Sequence, residues 1–160
     1  MKTCVFAGTF DPLTKGHDFV IKKCLETFDK VVVAVGVNVD KKPKFTLQER
    51  LEIIKRTYED QSRVEVVCYE GMLVDFMKKN GIVHNVRGLR NEDDYKYETT
   101  MARYNEDMYP QIVTLFIPTP PNLTYVSSSA IRNIMELNSD FSEYLPENSI
   151  EFVRELVKRK

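Results

Sequence analysis

The sequence has few of the residues that build disulfide frameworks or metal centres. Its 160 residues include three cysteines and two histidines, and no two cysteines form a CxxC pair. Three widely spaced cysteines argue against a disulfide framework or a zinc site and fit a reducing compartment. The longest apolar run, 31–37, is far too short to span a membrane, and the stretch 4–7 is too short for a signal peptide. We therefore expect a soluble cytoplasmic protein.

Neither sign of charge dominates the sequence. Lys and Arg number 23 and Asp and Glu number 24, which gives a net charge of −1. This balance argues against nucleic acid or an anionic membrane as the partner. Hydrophobic residues make up 42% and charged residues 29% of the chain, as is usual for globular proteins. The length predicts a single domain over residues 1–160 with a sizeable core.

Short apolar runs alternate with segments of helical periodicity along the whole chain. The runs predict five strands, at or near 5–6, 31–37, 64–69, 82–86 and 112–117. A capping box at Thr46-Leu-Gln-Glu49 opens one of the helices, and Gly81 is placed to end another, 73–79. This alternation predicts an α/β fold in which a five-stranded parallel sheet carries helices on both faces.

Five loops are predicted to meet at one edge of this sheet. Ligands of open parallel sheets bind outside the carboxyl ends of the strands. The segments that follow the predicted strands hold most of the glycine and proline, one histidine and several cations; they are 8–17, 38–44, 70–73, 87–90 and 118–129. We therefore expect a binding site where these segments converge.

The residue types in these loops suit a phosphate group. His17 begins the first predicted helix, where free N–H groups and the helix dipole favour an anion. A histidine there can donate a hydrogen bond to oxygens that gain charge in a transition state, although a lone histidine is also explained by a local hydrogen bond. The loop Arg87-Gly-Leu-Arg90 adds forked donors. Lysines 41, 42 and 44, taken alone, fit a solvated charge run better.

Several other residues have both a functional and a structural interpretation. The run Ser127-Ser-Ser129 suits a phosphate, but taken alone it is better explained by simple N-capping. Glu98 and Asn105 are seven residues apart and share one side of a helix, which suits a ligand or a polar outer face. Packing, with a subunit contact as the alternative, is expected for Tyr97, Met101, Tyr104 and Met108. A structural role is expected for His84, and core or near-core positions are expected for Cys4, Cys24 and Cys68.

Three segments resemble those of a known enzyme family. Thr14-Lys-Gly-His17 resembles the T/HxGH signature of the nucleotidyltransferase superfamily, and Ser127-Ser-Ser-Ala-Ile-Arg132 resembles the second phosphate motif of that superfamily. The stretch 86–98, VRGLRNEDDYKYE, resembles the RGLR…D(F/Y)xYE segment of phosphopantetheine adenylyltransferases, whose pattern segments 42–50 and 141–148 also match. The resemblance runs through essentially the whole chain, in order.

This resemblance implies a Rossmann-like nucleotidyltransferase fold and a specific reaction. AMP would pass from MgATP to 4′-phosphopantetheine without a covalent intermediate, giving dephospho-CoA and pyrophosphate in the penultimate step of coenzyme A synthesis. Mg²⁺ would be held mainly by the ATP phosphates and water. The resemblance also implies CoA as a feedback inhibitor and a homohexameric assembly.

The resemblance assigns roles to individual residues. It makes His17 the group that stabilises the transition state, beside Thr9, and completes the catalytic set with Lys41 and Arg90. The implied ATP-binding residues are Thr9, Phe10, His17, Gly88, Leu89, Arg90, Glu98, Leu123, Thr124, Tyr125, Val126, Ser127, Ser128 and Ser129. The implied phosphopantetheine-binding residues are Thr9, Lys41, Leu73, Arg87 and Asn105.

Three other functions compete with this one. A related nucleotidyltransferase would act on nicotinate mononucleotide or glycerol 3-phosphate, and the segment 87–98 argues against it. A non-catalytic CoA or nucleotide sensor on the same fold is disfavoured because His17, Lys41, Arg87 and Arg90 are all present. A relative of aminoacyl-tRNA synthetases would need a tRNA-reading domain, for which 160 residues leave no room.

Overall fold

The computed structural model describes residues 1–38 and 40–160 and contains one five-stranded parallel sheet. Its strands are β1 (Thr3–Gly8), β2 (Lys30–Val37), β3 (Val64–Glu70), β4 (His84–Leu89) and β5 (Val113–Pro118), in the spatial order β3-β2-β1-β4-β5. The helices are α1 (Lys15–Thr27), α2 (Leu47–Thr57), α3 (Leu73–Lys79), α4 (Glu92–Met108), α5 (Ser128–Glu136) and α6 (Ile150–Lys158). Within the described residues, none of these helices has the length and apolar character needed to cross a bilayer.

Both faces of the central strand β2 are buried, as its continuous apolar run predicts. Val31, Val33 and Val35 pack into one core together with residues of α1, α2, α5 and α6. Val32 and Ala34 point the other way, into a second core with residues of α3. Each fully buried aliphatic side chain contributes about 1.5–3 kcal/mol to folding, so the central strands anchor the fold. The predicted α/β class is confirmed.

The fourth strand differs from its predicted position. The prediction was 82–86, whereas β4 covers His84–Leu89 and pairs with β5 as far as Leu89↔Pro118. Gly81 has a φ of 64°, and the N–H of Ile82 donates a hydrogen bond to the carbonyl of Met77 at 3.0 Å. The first residues of the predicted apolar run therefore belong to the turn after α3 and not to the strand. Arg87 consequently lies inside a strand and not in a loop.

Packing differs from the predictions at two places. Tyr97 and Tyr104 are exposed within the chain, because α4 buries only Ala102, so a subunit contact stays as the alternative for these two residues. Cys68 is also exposed, since it lies on β3 at the opposite edge of the sheet, while Cys4 and Cys24 are buried as expected.

The chain reverses its direction of winding between β1 and β4. From β1 it passes through α1 to β2 on one side, and from β4 it passes through α4 to β5 on the other. Divergent connections leave a crevice at the carboxyl ends of two adjacent strands, and such switch points bind ligands. The predicted loops converge at this point.

Candidate active site

A cavity of about 340 Å³ lies at the carboxyl ends of β1 and β4. The predicted site residues that line it are Thr9, Phe10, His17, Arg87, Gly88, Arg90, Glu98, Val126, Ser127, Ser128 and Ser129. The walls come from the loop after β1, the start of α1, the end of β4, one side of α4 and the start of α5. Two helix N-termini therefore face the same space, which favours an anionic ligand.

The geometry at the start of α1 fixes the tautomer of His17. Thr14 is the N-cap residue, and its hydroxyl accepts a hydrogen bond from the N–H of His17. In return, Nδ1 of His17 accepts the backbone N–H of Thr14 at 3.0 Å. A backbone N–H can only donate, so Nδ1 carries no proton and the neutral ring is protonated at Nε2. His17 therefore lines the cavity with a ring that can donate from Nε2.

The surroundings also keep this ring neutral. Burial, followed by the positive charges of Arg90 and Arg87, lowers the pKa of His17 from 6.5 to about 4. Protonating Nδ1 would also break its hydrogen bond with Thr14. At neutral pH, His17 is thus a hydrogen-bond donor that carries no charge and a poor proton acceptor.

This low pKa predicts how the protein responds to acid. Because the folded-state pKa lies below the ordinary value, the unfolded chain binds the proton first as the pH falls, so His17 lowers the stability of the fold between pH 6.5 and about 4. Above pH 6.5 its contribution is constant. NMR titration of the imidazole resonances should show a His17 midpoint well below 6.5, and a midpoint at or above 6.5 would contradict the assignment of a neutral donor.

The ring of Phe10 packs against the ring of His17. The Phe10 side chain is 2% exposed, and its ring packs edge to face against the rings of His17 and Phe6, with centroids 4.9 and 5.5 Å away. Its φ of 50° is unusual for a bulky residue, and such strain concentrates at functional sites. The ring therefore holds the imidazole in place and does not offer an exposed stacking surface.

Arg87 is fixed by three hydrogen bonds. Its Nε and Nη2 donate to the two carboxylate oxygens of Glu98 at 2.9 and 2.8 Å, and its Nη1 donates to the carbonyl of Ala7 at 2.6 Å. The pair joins β4 to α4, and the third bond ties both to β1. A two-pronged arginine–carboxylate pair is geometrically specific, so the direction of this guanidinium is set before a ligand arrives.

The other two cavity arginines also have carboxylate partners. Arg90 contacts Asp94 in the first turn of α4, with Nε 3.1 Å from Oδ2. Arg132 lies 3.6 Å from Asp11 and donates to Oγ of Ser129 at 3.2 Å. Together with Arg87 and Glu98, the lining holds three arginines and three carboxylates in one-to-one pairs.

The loop after β1 is held by two buried charged residues. The Asp11 carboxylate accepts the backbone N–H groups of Lys44 and Phe45, both at 2.9 Å. Arg50, on α2, is 4% exposed and donates to the carbonyls of Thr9, Phe45 and Gly36 at 2.8, 3.2 and 3.4 Å. Sequence reasoning missed both residues, because their partners are backbone atoms far away in the chain.

Gly88 lies where β4 and α1 approach each other closely. A Cβ built at this position would lie 3.0 Å from the Cγ2 of Val20 on α1. A side chain at Gly88 would therefore crowd Val20, which would have to shift by a few tenths of an ångström. At the far wall, Ser127 caps α5 by accepting the N–H of Ala130 at 3.1 Å.

Some predicted site residues lie outside the cavity lining. Lys41 is exposed on the segment after β2; Val39, in the same predicted loop, is outside the described residues. Leu73 begins α3, and Asn105 lies on α4. Leu89, Leu123, Thr124 and Tyr125 also lie outside the lining, and of these Leu123 packs against the main core. The structure leaves the roles of these residues as predictions.

Comparison with solved structures supports the fold. One similar structure is a bifunctional NMN adenylyltransferase/ADP ribose pyrophosphatase from Francisella tularensis, with a TM-score of 0.75 and 17% identity. The match covers 98% of this chain and 50% of that protein. Another is the nicotinic acid mononucleotide adenylyltransferase of Plasmodium falciparum, with a TM-score of 0.65 and 16% identity over 97% of this chain and 96% of that one. At these identities the likeness shows the Rossmann-like fold alone.

Sequence relationships are more specific. The cytidylyltransferase-like family model matches residues 5–134, so the fold and the site together define a nucleotidyltransferase. Proteins named phosphopantetheine adenylyltransferase from Clostridium botulinum strain 657 and Clostridium perfringens strain 13 are 39% and 36% identical, over 100% and 98% of this chain and 98% and 96% of theirs. The chain belongs to the phosphopantetheine adenylyltransferase family.

Proposed function

We propose that this enzyme transfers the adenylyl group of ATP to 4′-phosphopantetheine, giving dephospho-CoA and pyrophosphate. The observation that carries the proposal is a neutral histidine with its proton on Nε2, lining one cavity with Arg87 and Arg90. Adenylyl transfer needs positioned substrates and donors for the oxygens that gain charge, and covalent chemistry by the protein is not required.

The reaction balances without a proton acceptor on the protein. A phosphate oxygen of 4′-phosphopantetheine attacks the α-phosphorus of ATP, a new P–O bond forms, and the bond to the bridging oxygen breaks, releasing pyrophosphate. A phosphate monoester is largely ionised near pH 7, so the nucleophile is ready without a base. His17 donates Nε2–H to an oxygen of the α-phosphate as the charge on it increases, which lowers the barrier.

In this proposal the two phosphate-bearing substrates bind on opposite sides of the cavity. Arg87 and Lys41 hold the phosphate of 4′-phosphopantetheine, Thr9 lies between the substrates, and Leu73 and Asn105 contact the pantetheine arm. The ATP phosphates are held by Arg90 and by the α5 N-terminus, where Ser127 to Ser129 line the cavity. Phe10, Gly88, Leu89 and the segment 123–126 shape the remaining nucleotide site.

Mg²⁺ enters this proposal as part of the MgATP substrate. Asp11, Asp94 and Glu98 are the carboxylates that line the cavity, and each is engaged by an arginine. We therefore place the cation on the ATP phosphates and water, as Mg²⁺ commonly binds. Its charge offsets that of the triphosphate.

The assembly and setting are also proposals. Residues 1–160 would act as one nucleotidyltransferase domain in a homohexamer, located in the cytoplasm and inhibited by CoA. Exposed apolar and aromatic residues on α4 and β5, among them Tyr104 and Leu115, support a contact between copies. Sedimentation of the purified protein tests the assembly.

The reaction is tested by pyrophosphate release from MgATP. Three acceptors would be offered separately: 4′-phosphopantetheine, nicotinate mononucleotide and glycerol 3-phosphate. Turnover with 4′-phosphopantetheine alone supports the proposed reaction. Turnover with another acceptor moves the enzyme to a different substrate, and tight ATP or CoA binding without any turnover favours a sensor.

Replacing Arg87 with alanine should chiefly weaken the binding of 4′-phosphopantetheine. The change removes a charge-assisted donor and leaves the Glu98 carboxylate unpaired near an anionic substrate. We expect a rise in Kd of at least about tenfold, corresponding to about 1.4 kcal/mol, with MgATP binding nearly unchanged. Calorimetry measures both values, and an unchanged Kd for 4′-phosphopantetheine would contradict the role of Arg87.

A further inference from the structure

We propose that Asp94 and Glu98, one turn apart on α4, are positioning residues that each hold one arginine for one of the two substrates. Glu98 acts through Arg87 on 4′-phosphopantetheine, and Asp94 acts through Arg90 on ATP. The inference rests on the proposed function, because that function supplies the two substrates. It changes the role of Glu98, which the family resemblance assigns to ATP binding, and gives Asp94 a role.

The contacts of Glu98 support this role. Both of its carboxylate oxygens accept hydrogen bonds from Arg87, at 2.8 and 2.9 Å, and its side chain is only 13% exposed. The three bonds of Arg87 to Glu98 and Ala7 use part of its donor set and leave other N–H groups on Nη1 and Nη2 for a phosphate. Glu98 therefore determines where those remaining donors point.

Asp94 has the corresponding arrangement one turn earlier on α4. Its carboxylate accepts the backbone N–H of Arg90 at 3.0 Å and Nε of the same residue at 3.1 Å, and Nη2 lies 3.5 Å away. The side chain of Asn91 caps the helix at the N–H of Asp94, which fixes the carboxylate in turn. The contacts on Nε and Nη2 leave the Nη1 side of Arg90 for the ATP phosphates.

Electrostatics argue against direct contact between these carboxylates and the phosphates. A carboxylate beside a polyphosphate is repelled unless a cation lies between them. Here the guanidinium groups are those cations, since each carboxylate is already paired with an arginine in the same cavity. The geometry thus links each carboxylate to a substrate through its arginine.

The test compares three matched amide variants, Glu98→Gln, Asp94→Asn and Glu106→Gln. Glu106 lies on the same helix in an exposed pair with Arg103, away from the cavity lining, and controls for the chemical change. Calorimetry with 4′-phosphopantetheine and, separately, with a magnesium complex of a non-hydrolysable ATP analogue gives two Kd values for each protein. Thermal unfolding checks that each variant folds.

The expected result is a crossed pattern. Glu98→Gln should weaken 4′-phosphopantetheine about tenfold and the ATP analogue less than about twofold, because one of two charge-assisted bonds to Arg87 is lost. Asp94→Asn should weaken the ATP analogue about threefold, a smaller effect because its ion pair is more exposed, and leave 4′-phosphopantetheine unchanged. Glu106→Gln should change neither value.

A second measurement separates positioning from a merely structural role. In an Arg87→Ala background the Glu98 carboxylate only repels the substrate phosphate, so adding Glu98→Gln should tighten 4′-phosphopantetheine binding, the opposite of its effect in the wild type. Equal losses for both substrates, an uncrossed pattern or the same sign in both backgrounds would overturn the inference. If the wild type binds no 4′-phosphopantetheine, the proposed function fails instead; inorganic phosphate then serves as the probe at Arg87, and Glu98→Gln should still weaken it.

Discussion

Replacing His17 with alanine is expected to lower kcat about a hundred- to a thousandfold, the usual loss for one transition-state donor. Binding of MgATP should change far less, because the bond from Nε2 strengthens mainly as charge builds on the α-phosphate. Single-turnover kinetics together with calorimetry separate the two quantities. The neutral ring fixed by Thr14 is the physical basis of this expectation.

The matched controls for this variant are His17→Gln and His84→Gln. A glutamine at 17 keeps an N–H donor but loses the bond that fixes the ring, so partial recovery of kcat relative to alanine is expected. His84 lies on β4, with Nδ1 3.1 Å from the carbonyl of Thr3, and does not line the cavity. Its substitution should leave kcat unchanged. A His17→Ala enzyme with near-normal kcat would remove this residue from the mechanism.

Replacing Arg50 with methionine is expected to destabilise the fold by about 3 kcal/mol. The substitution keeps most of the apolar stem but leaves the carbonyl of Phe45, in a buried hydrogen bond, and that of Thr9, in a partly buried one, without their donor. The corresponding fall in the unfolding midpoint is about 6–12 °C for a chain of this size. Since the carbonyl of Thr9 is released, kcat should fall as well.

The matched variant here is Arg50→Lys. A lysine keeps the positive charge and can reach one carbonyl, but it lacks the planar fork that serves three. Its stability should therefore lie between those of the wild type and the methionine variant. Calorimetric unfolding measures all three proteins, and a methionine variant as stable as the wild type would show that the loop after β1 does not depend on this residue.

The contrast between His17 and Arg50 shows how far the sequence could predict the site. His17, Arg87 and the serines of α5 lie within short motifs, and phosphate chemistry explains their residue types. Arg50 ends segment 42–50, which matches the family pattern, but phosphate chemistry explains neither its residue type nor that of Asp11. Both residues bind backbone atoms that only the fold brings near. A sequence pattern records side-chain types, whereas the position of a distant carbonyl has no counterpart in it.

The fold shows the same division. The apolar run of β2 predicts a strand buried on both faces, because consecutive residues point to opposite faces and all of them are apolar. The carboxyl end of β4 has a polar and glycine-containing sequence, so it resembles a loop, although pairing with β5 makes it a strand. The positive φ of Phe10 could not be predicted from the sequence either, since nothing in its residue type indicates a left-handed backbone.

The one-to-one pairing of the cavity arginines has a kinetic consequence. Six paired side chains of opposite sign sum to no net charge, so they add little long-range attraction for anions in solution. A ligand gains affinity from these residues only after its phosphates reach the N–H groups directly. Recognition then depends on how phosphates are spaced within a molecule, and abundant free anions gain little from the mere presence of three arginines.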